Sequence, residues 1–141
     1  MMNKLASRFF RNSLITTLFA LLAVPAIGQG GADPAVWNDT MDRFAEQDRM
    51  KPPPMGAILL TGSSSIARWN DHAAGALAPL TVIARGFGGS VMNDVLHHLD
   101  AVALQYKPRA ILIYEGDNDT AYRIPESEII GTLNEIVEKV N

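Results

Sequence analysis

No cysteine occurs among the 141 residues, which removes disulfides, thiolate zinc sites and cysteine nucleophiles together. Histidine is nearly as scarce: His72, His97 and His98 are all there is, and none follows. The first 28 residues contain Lys4, Arg8 and Arg11 but not one acid. The rest of the chain holds nine basic and fifteen acidic residues, a net charge of −6. So acidic a body argues against non-specific binding to nucleic acid or to an anionic membrane. There is no internal repeat and no low-complexity tract, and 48% apolar residues argue against disorder and for one small folded domain.

The basic start runs into an apolar stretch, Leu14 to Ile27, ending in small residues and a proline. A charged n-region, an apolar h-region and a small-residue exit are the parts of a secretory signal peptide. The run is shorter than the roughly 20 residues needed to span a bilayer, so a lasting membrane anchor is disfavoured. Residues 1–28 are therefore expected to be a leader cleaved before Gln29. Residues 29–141 are then an exported domain, periplasmic or secreted.

Past the leader, apolar residues at helical spacing (Trp37, Met41, Phe44) predict a helix over residues 34–50, stopped by Pro52-Pro53-Pro54. Ala57–Thr61, Thr81–Arg85 and Ala110–Tyr114 read as strands. A helix is expected over 91–106, with Val91, Val95, Leu99 and Val102 inward. Another starts at Pro125, with a stripe of Ile129, Ile130, Leu133, Ile136, Val137 and Val140. Uninterrupted apolar strands alternating with helices predict an α/β fold, a parallel sheet with helices on both faces. Ligands bind beyond the carboxyl ends of such strands, and three polar, glycine-rich segments lie there.

The first is Gly62-Ser63-Ser64-Ser65. A serine at a strand-to-helix turn is a nucleophile, a phosphate ligand or a helix cap. It lacks the glycine and lysine of a P-loop. The second, Gly86-Phe87-Gly88-Gly89, fails as a dinucleotide fingerprint because position 91 is Val. Its glycines suit a tight turn or an N–H offered to a reacting group. The third, Gly116-Asp117-Asn118-Asp119, fits a turn or a set of polar site groups; the spacing of a calcium loop is not sustained. Trp69, Phe87 and Tyr122 lie near the same edge, as pocket lining or as packing.

Taken together, Ile58-Leu59-Leu60-Thr61-Gly62-Ser63-Ser64-Ser65-Ile66-Ala67-Arg68-Trp69, Arg85-Gly86-Phe87-Gly88-Gly89-Ser90 and Gly116-Asp117-Asn118-Asp119 resemble the first three blocks of the SGNH (GDSL-like) hydrolase superfamily. The resemblance runs from about Trp37 to Val140. It implies a flavodoxin-like sheet and acyl transfer from a small-molecule, carbohydrate or lipid ester through an acyl-enzyme, with no cofactor and no metal. By position it implies Ser64 as nucleophile. The Ser64 N–H, the Gly89 N–H and the Asn118 side-chain amide are then the oxyanion donors. Ser63 replaces the usual block-one aspartate, and Ala84 stands where asparagine is common.

The family's fourth block, a late Asp-x-x-His supplying the general base, has no counterpart. Asp94-Val95-Leu96-His97 has that spacing, but it lies within the helix after Gly89 and is expected to face solvent, as is His98. His72 is no better placed. Losing the histidine of a serine triad costs about 10⁶-fold in turnover. The expectation is therefore a fragment ending after the third strand–helix unit, with Ala110–Tyr114 as an open, aggregation-prone edge. Two other classes stay open: a non-catalytic exported α/β remnant or binding module, and a phosphate- or nucleotide-binding α/β protein using Ser63 to Ser65.

Overall fold

Ile58-Leu59-Leu60-Thr61-Gly62 carries no charge, and as the central strand β1 (Ile58–Gly62) it is buried on both faces from Leu59 onward. The computed structural model describes residues 33–141; the leader read at residues 1–28 lies outside them. Parallel to β1 run β2 (Val82–Gly86) and β3 (Ala110–Tyr114), in the order β2-β1-β3. That is the start of a flavodoxin-like 2-1-3 arrangement, and it sets three strand ends side by side. β1 and β2 each finish one residue later than the apolar runs suggest, because Gly62 still pairs with Gly86 and with Tyr114.

Gly62 is required where it stands. Its φ is +128°, and a Cβ there would lie 2.0 Å from the Tyr114 carbonyl oxygen. Only glycine permits both the backbone conformation and the approach.

One face of the sheet carries the main core. The helix expected over 34–50 divides into a 3₁₀ turn, Pro34–Trp37, capped by Asp33 Oδ1 accepting from Ala35 N at 2.9 Å, and α1 (Asn38–Met50). Phe44 of α1 meets Leu59, Ile83, Phe87, Val95 and Leu99 in this core. Arg85 at the end of β2 holds α1 in place: it pairs with Asp48 and lies over the Phe44 ring, while Tyr106 donates to Asp48 Oδ2 at 2.5 Å.

The long helix expected over 91–106 is three pieces: α4 (Met92–His97), α5 (Leu99–Val102) and a 3₁₀ turn at Leu104–Tyr106. The break has a tertiary cause. His98 is 7% exposed and donates from Nε2 to the Pro34 carbonyl at 2.8 Å, with its ring edge-on to Phe87. Asp94 is fully buried, and its Oδ2 accepts from Val91 N at 3.0 Å, capping α4. The expectation that Asp94 and His98 face solvent is thus corrected; His97 is exposed.

The opposite face is thinner. It is covered by two single-turn helices, which owe their order to packing rather than to helix propensity. These are α2 (Ser64–Ala67) and α3 (Ala73–Ala76), over Leu60, Val82 and Ala84. β3 extends past this cover, leaving Leu112 and Tyr114 50% and 46% exposed. Burial on both faces therefore holds for β1 and β2 but not for β3. α6 (Asp117–Ala121) follows β3, and α7 (Glu126–Val140) follows α6 with Pro125 as its N-cap. Of the expected stripe on α7, Ile136 is buried in the main core and Ile129 and Leu133 pack on it, whereas Ile130, Val137 and Val140 are exposed. Among the described residues no helix is long and apolar enough to cross a membrane.

Candidate active site

The three glycine-rich segments meet at the carboxyl ends of the strands. Ser63 N donates to Tyr114 O at 3.1 Å and Phe87 N to Gly62 O at 2.9 Å, extending the pairing one step past β1 on each side. Asn70 clamps the end of β2: its Nδ2 donates to Gly86 O at 2.9 Å, and its Oδ1 accepts from Gly86 N at 2.8 Å.

Gly89 N and Asn118 Nδ2, two of the donors singled out from the sequence, converge on one oxygen. That oxygen is Ser63 Oγ, at 3.1 Å from Gly89 N and 2.6 Å from Asn118 Nδ2. Gly89 reaches this position with φ +100°, a left-handed conformation that favours glycine. Ser63 is 3% exposed. Ser64 is exposed as the first residue of α2. A methyl group built on Gly88 would stand 3.5 Å from Ser64 Cα and Cβ, so the second segment forms a wall beside Ser64.

Behind Asn118 lies a buried polar chain with no single-motif signature. Asn118 Nδ2 also donates to Ser90 O at 2.7 Å, and Ser90 Oγ donates to Glu115 Oε1 at 2.6 Å. Among the described residues Glu115 Oε2 is buried without a partner, and burial pushes the Glu115 carboxyl up to about 8. The Asp119 carboxylate accepts from Met92 N at 3.1 and 3.2 Å, holding the start of α4 against α6. Burial raises its pKa too, against the opposing pull of the Met92 N–H. Ser90, Glu115 and Asp119 thus fix the relative positions of the second and third segments. The available signal was weak: an acid at the end of an apolar strand, and a serine closing a glycine-rich turn.

The arrangement is two N–H donors aimed at one buried oxygen, that of Ser63, next in sequence to the exposed Ser64. Such a pair stabilises a negatively charged oxygen. Among the described residues no group of three or more His, Asp or Glu side chains is placed to hold a metal ion. His98 is committed to Pro34 O, and His72 sits exposed at the start of α3. Phe87 is core, whereas Trp69 and Tyr122 are 44% and 40% exposed.

No family model matches the chain, nor does any curated protein. Among solved structures, it is similar to one from Streptococcus pneumonia described as a platelet activating factor, with TM-score 0.60 and 22% identity over 73% of this chain and 47% of that one. It is equally similar to a structure from Bacteroides fragilis described as an acylhydrolase, with TM-score 0.60 and 22% identity over 69% of this chain and 50% of that one. The chain spans about half the length of each. At this identity the likeness concerns the fold, an α/β parallel sheet flanked by helices.

Proposed function

We propose that this chain is the serine-bearing part of an exported SGNH-type ester hydrolase, with Ser64 as nucleophile. The observation that carries the reading is the convergence of Gly89 N–H and Asn118 Nδ2–H beside Ser64. Ser63 is a poor nucleophile, since its oxygen already accepts both hydrogen bonds and it is almost wholly buried. Its oxygen marks instead the place a carbonyl oxygen takes once Ser63 turns aside. Descriptions of the two similar structures as an acylhydrolase and a platelet activating factor agree with a hydrolase of this kind.

In the reaction Ser64 Oγ attacks the ester carbonyl carbon, and the negative charge forms on the carbonyl oxygen. Gly89 N–H and Asn118 Nδ2–H, with the Ser64 N–H, hold that oxygen; each such donor lowers the barrier by about 3 to 4 kcal/mol. The carbon–oxygen bond to the alcohol then breaks, leaving an acyl-Ser64 ester that water cleaves. The Ser64 proton passes to a base and on to the departing alkoxide. His98 is bonded to Pro34 O, and the reading assigns this base to no histidine among the described residues. The leader at residues 1–28 is proposed to direct export, which N-terminal sequencing starting at Gln29 tests.

Imidazole in solution can stand in for the missing base. Hydrolysis of p-nitrophenyl acetate by the 141-residue chain should rise with imidazole concentration beyond the imidazole-only rate. The excess should vanish in Ser64→Ala and persist in Ser63→Ala. An excess lost only in Ser63→Ala, or no excess at all, overturns the assignment.

A further inference from the structure

Asn118 serves two acceptors with one amide. Its Nδ2 donates to Ser63 Oγ at 2.6 Å and to Ser90 O at 2.7 Å. A side-chain amide nitrogen carries two N–H bonds, so each acceptor takes one. The bond to Ser90 O fixes the plane of the amide and thereby aims the other N–H at Ser63 Oγ, where the esterase reading puts the carbonyl oxygen. Ser90 directly follows Gly89, the second donor, and is fully buried. The placement of this one residue therefore bears on both donors. Ser90 is in turn held by its own side chain, through the 2.6 Å bond from its Oγ to Glu115 Oε1. A chain of contacts thus runs from Glu115 after β3, across the second glycine-rich segment, and back to Asn118 in α6.

The surroundings of Glu115 select its neutral form. Burial above all keeps the carboxyl protonated up to about 8; Asp119 of α6 and Asp94 of α4 add to this, while the Ser90 hydroxyl and the Gly116 N–H pull the other way. Among the described residues no cation pairs with it, and both its Oε2 and Asp94 Oδ1 are buried without a partner. A neutral carboxyl keeps Oε1 as an acceptor for Ser90 and carries its proton on Oε2. Ionised, it adds a third negative charge to a pair of buried acids. That charge also stands behind the place where the oxyanion forms, and like charges so placed oppose each other. Ionisation therefore weakens the site twice, by disturbing the anchor of the amide and by repelling the developing charge.

We propose that Glu115 is a positioning residue for the oxyanion site: as a neutral acid it anchors Ser90, and through Ser90 it aims the Asn118 amide. The proposal rests on the esterase reading above, but its first test needs no turnover. In the isotope-labelled 141-residue chain, the side-chain amide resonance of Asn118 is identified by its loss in Asn118→Ala. Between pH 6 and pH 9 it should shift with one midpoint near 8, and it should stay flat in Glu115→Gln. The second test is imidazole-supported hydrolysis of p-nitrophenyl acetate, taken as the ratio of Glu115→Gln to parent so that the ionisation of imidazole cancels. With a carboxyl titrating at about 8, only about one parent molecule in ten is neutral at pH 9. The ratio should therefore rise about tenfold from pH 6 to pH 9. An Asn118 amide that ignores pH in the parent, or that titrates equally in Glu115→Gln, overturns the proposal. So does a constant ratio in a parent that hydrolyses the ester. A titrating amide without imidazole-dependent hydrolysis would sink the Ser64 reading and leave the link from Glu115 to Asn118 standing.

Discussion

Glu115 makes the stability of this domain depend on pH in a direction opposite to that of most carboxylates. Unfolded, its carboxyl ionises near 4.5; buried beside Ser90 it does so at about 8. Below pH 4.5 the proton is bound in both states and the folded protein keeps its full stability. Between 4.5 and 8 the unfolded chain releases the proton while the folded one retains it, so unfolding becomes easier as pH rises. Each pH unit in that window is worth up to 1.36 kcal/mol, for a ceiling of about 5 kcal/mol. Partial access to water reduces the working figure to about 2 to 4 kcal/mol. A small domain has only about 5 to 15 kcal/mol in total, so the loss should be plain in urea titrations at pH 5, 7 and 9. Glu115→Gln imitates the protonated acid: its amide oxygen accepts from Ser90 Oγ, and its neutral nitrogen replaces the unpartnered Oε2. The variant should match the parent at pH 5 and exceed it by about 2 kcal/mol or more at pH 9. A shallow slope in the same direction should persist, since Asp119 is raised as well. Parallel pH profiles for the two proteins would refute the reasoning.

Other outcomes follow from the same geometry. Asn118→Ala removes the donor to Ser63 Oγ and Ser90 O, and should cost about 10²- to 10³-fold in imidazole-supported ester turnover. Gly62→Ala drives a methyl against the Tyr114 carbonyl in a backbone conformation alanine resists. It should lower stability by about 2 kcal/mol or more, as read from its urea midpoint. The 141-residue chain should self-associate with rising concentration through the β3 edge, and Leu112→Glu should suppress this in light-scattering measurements. A monomeric parent with a sharp cooperative thermal transition would contradict that expectation.

Periodicity located the strands well because their apolar runs are continuous, and Ala110–Tyr114 has the same bounds in the fold. It misjudged 91–106, since nothing local announces that His98 leaves the helix to reach Pro34, 64 residues earlier. It also overstated the stripe of α7. The helix buries Ile136, packs Ile129 and Leu133 partly buried against the core, and shows solvent the residues beside them. At the site, the resemblance to the family's blocks brought Gly89 and Asn118 forward as donors, and in the fold both donate to Ser63 Oγ. Which of three consecutive serines they meet was beyond reach. The direction of each hydroxyl depends on the turn at Ser63, with φ −79° and ψ −150°, and on contacts across the sheet. Glu115 was unreadable for a related reason: its environment is assembled from Ser90 and Asp119, 25 residues before it and four after.

The central claim is that Ser64 is the acylated atom's bearer. Incubating the 141-residue chain with a fluorophosphonate, with and without imidazole, and mapping the adduct by peptide mass spectrometry tests it directly. The account predicts slow labelling that imidazole accelerates, confined to Ser64 and reduced in Asn118→Ala. An adduct on Ser63 or Ser65, or no adduct under conditions in which imidazole is present, would contradict it.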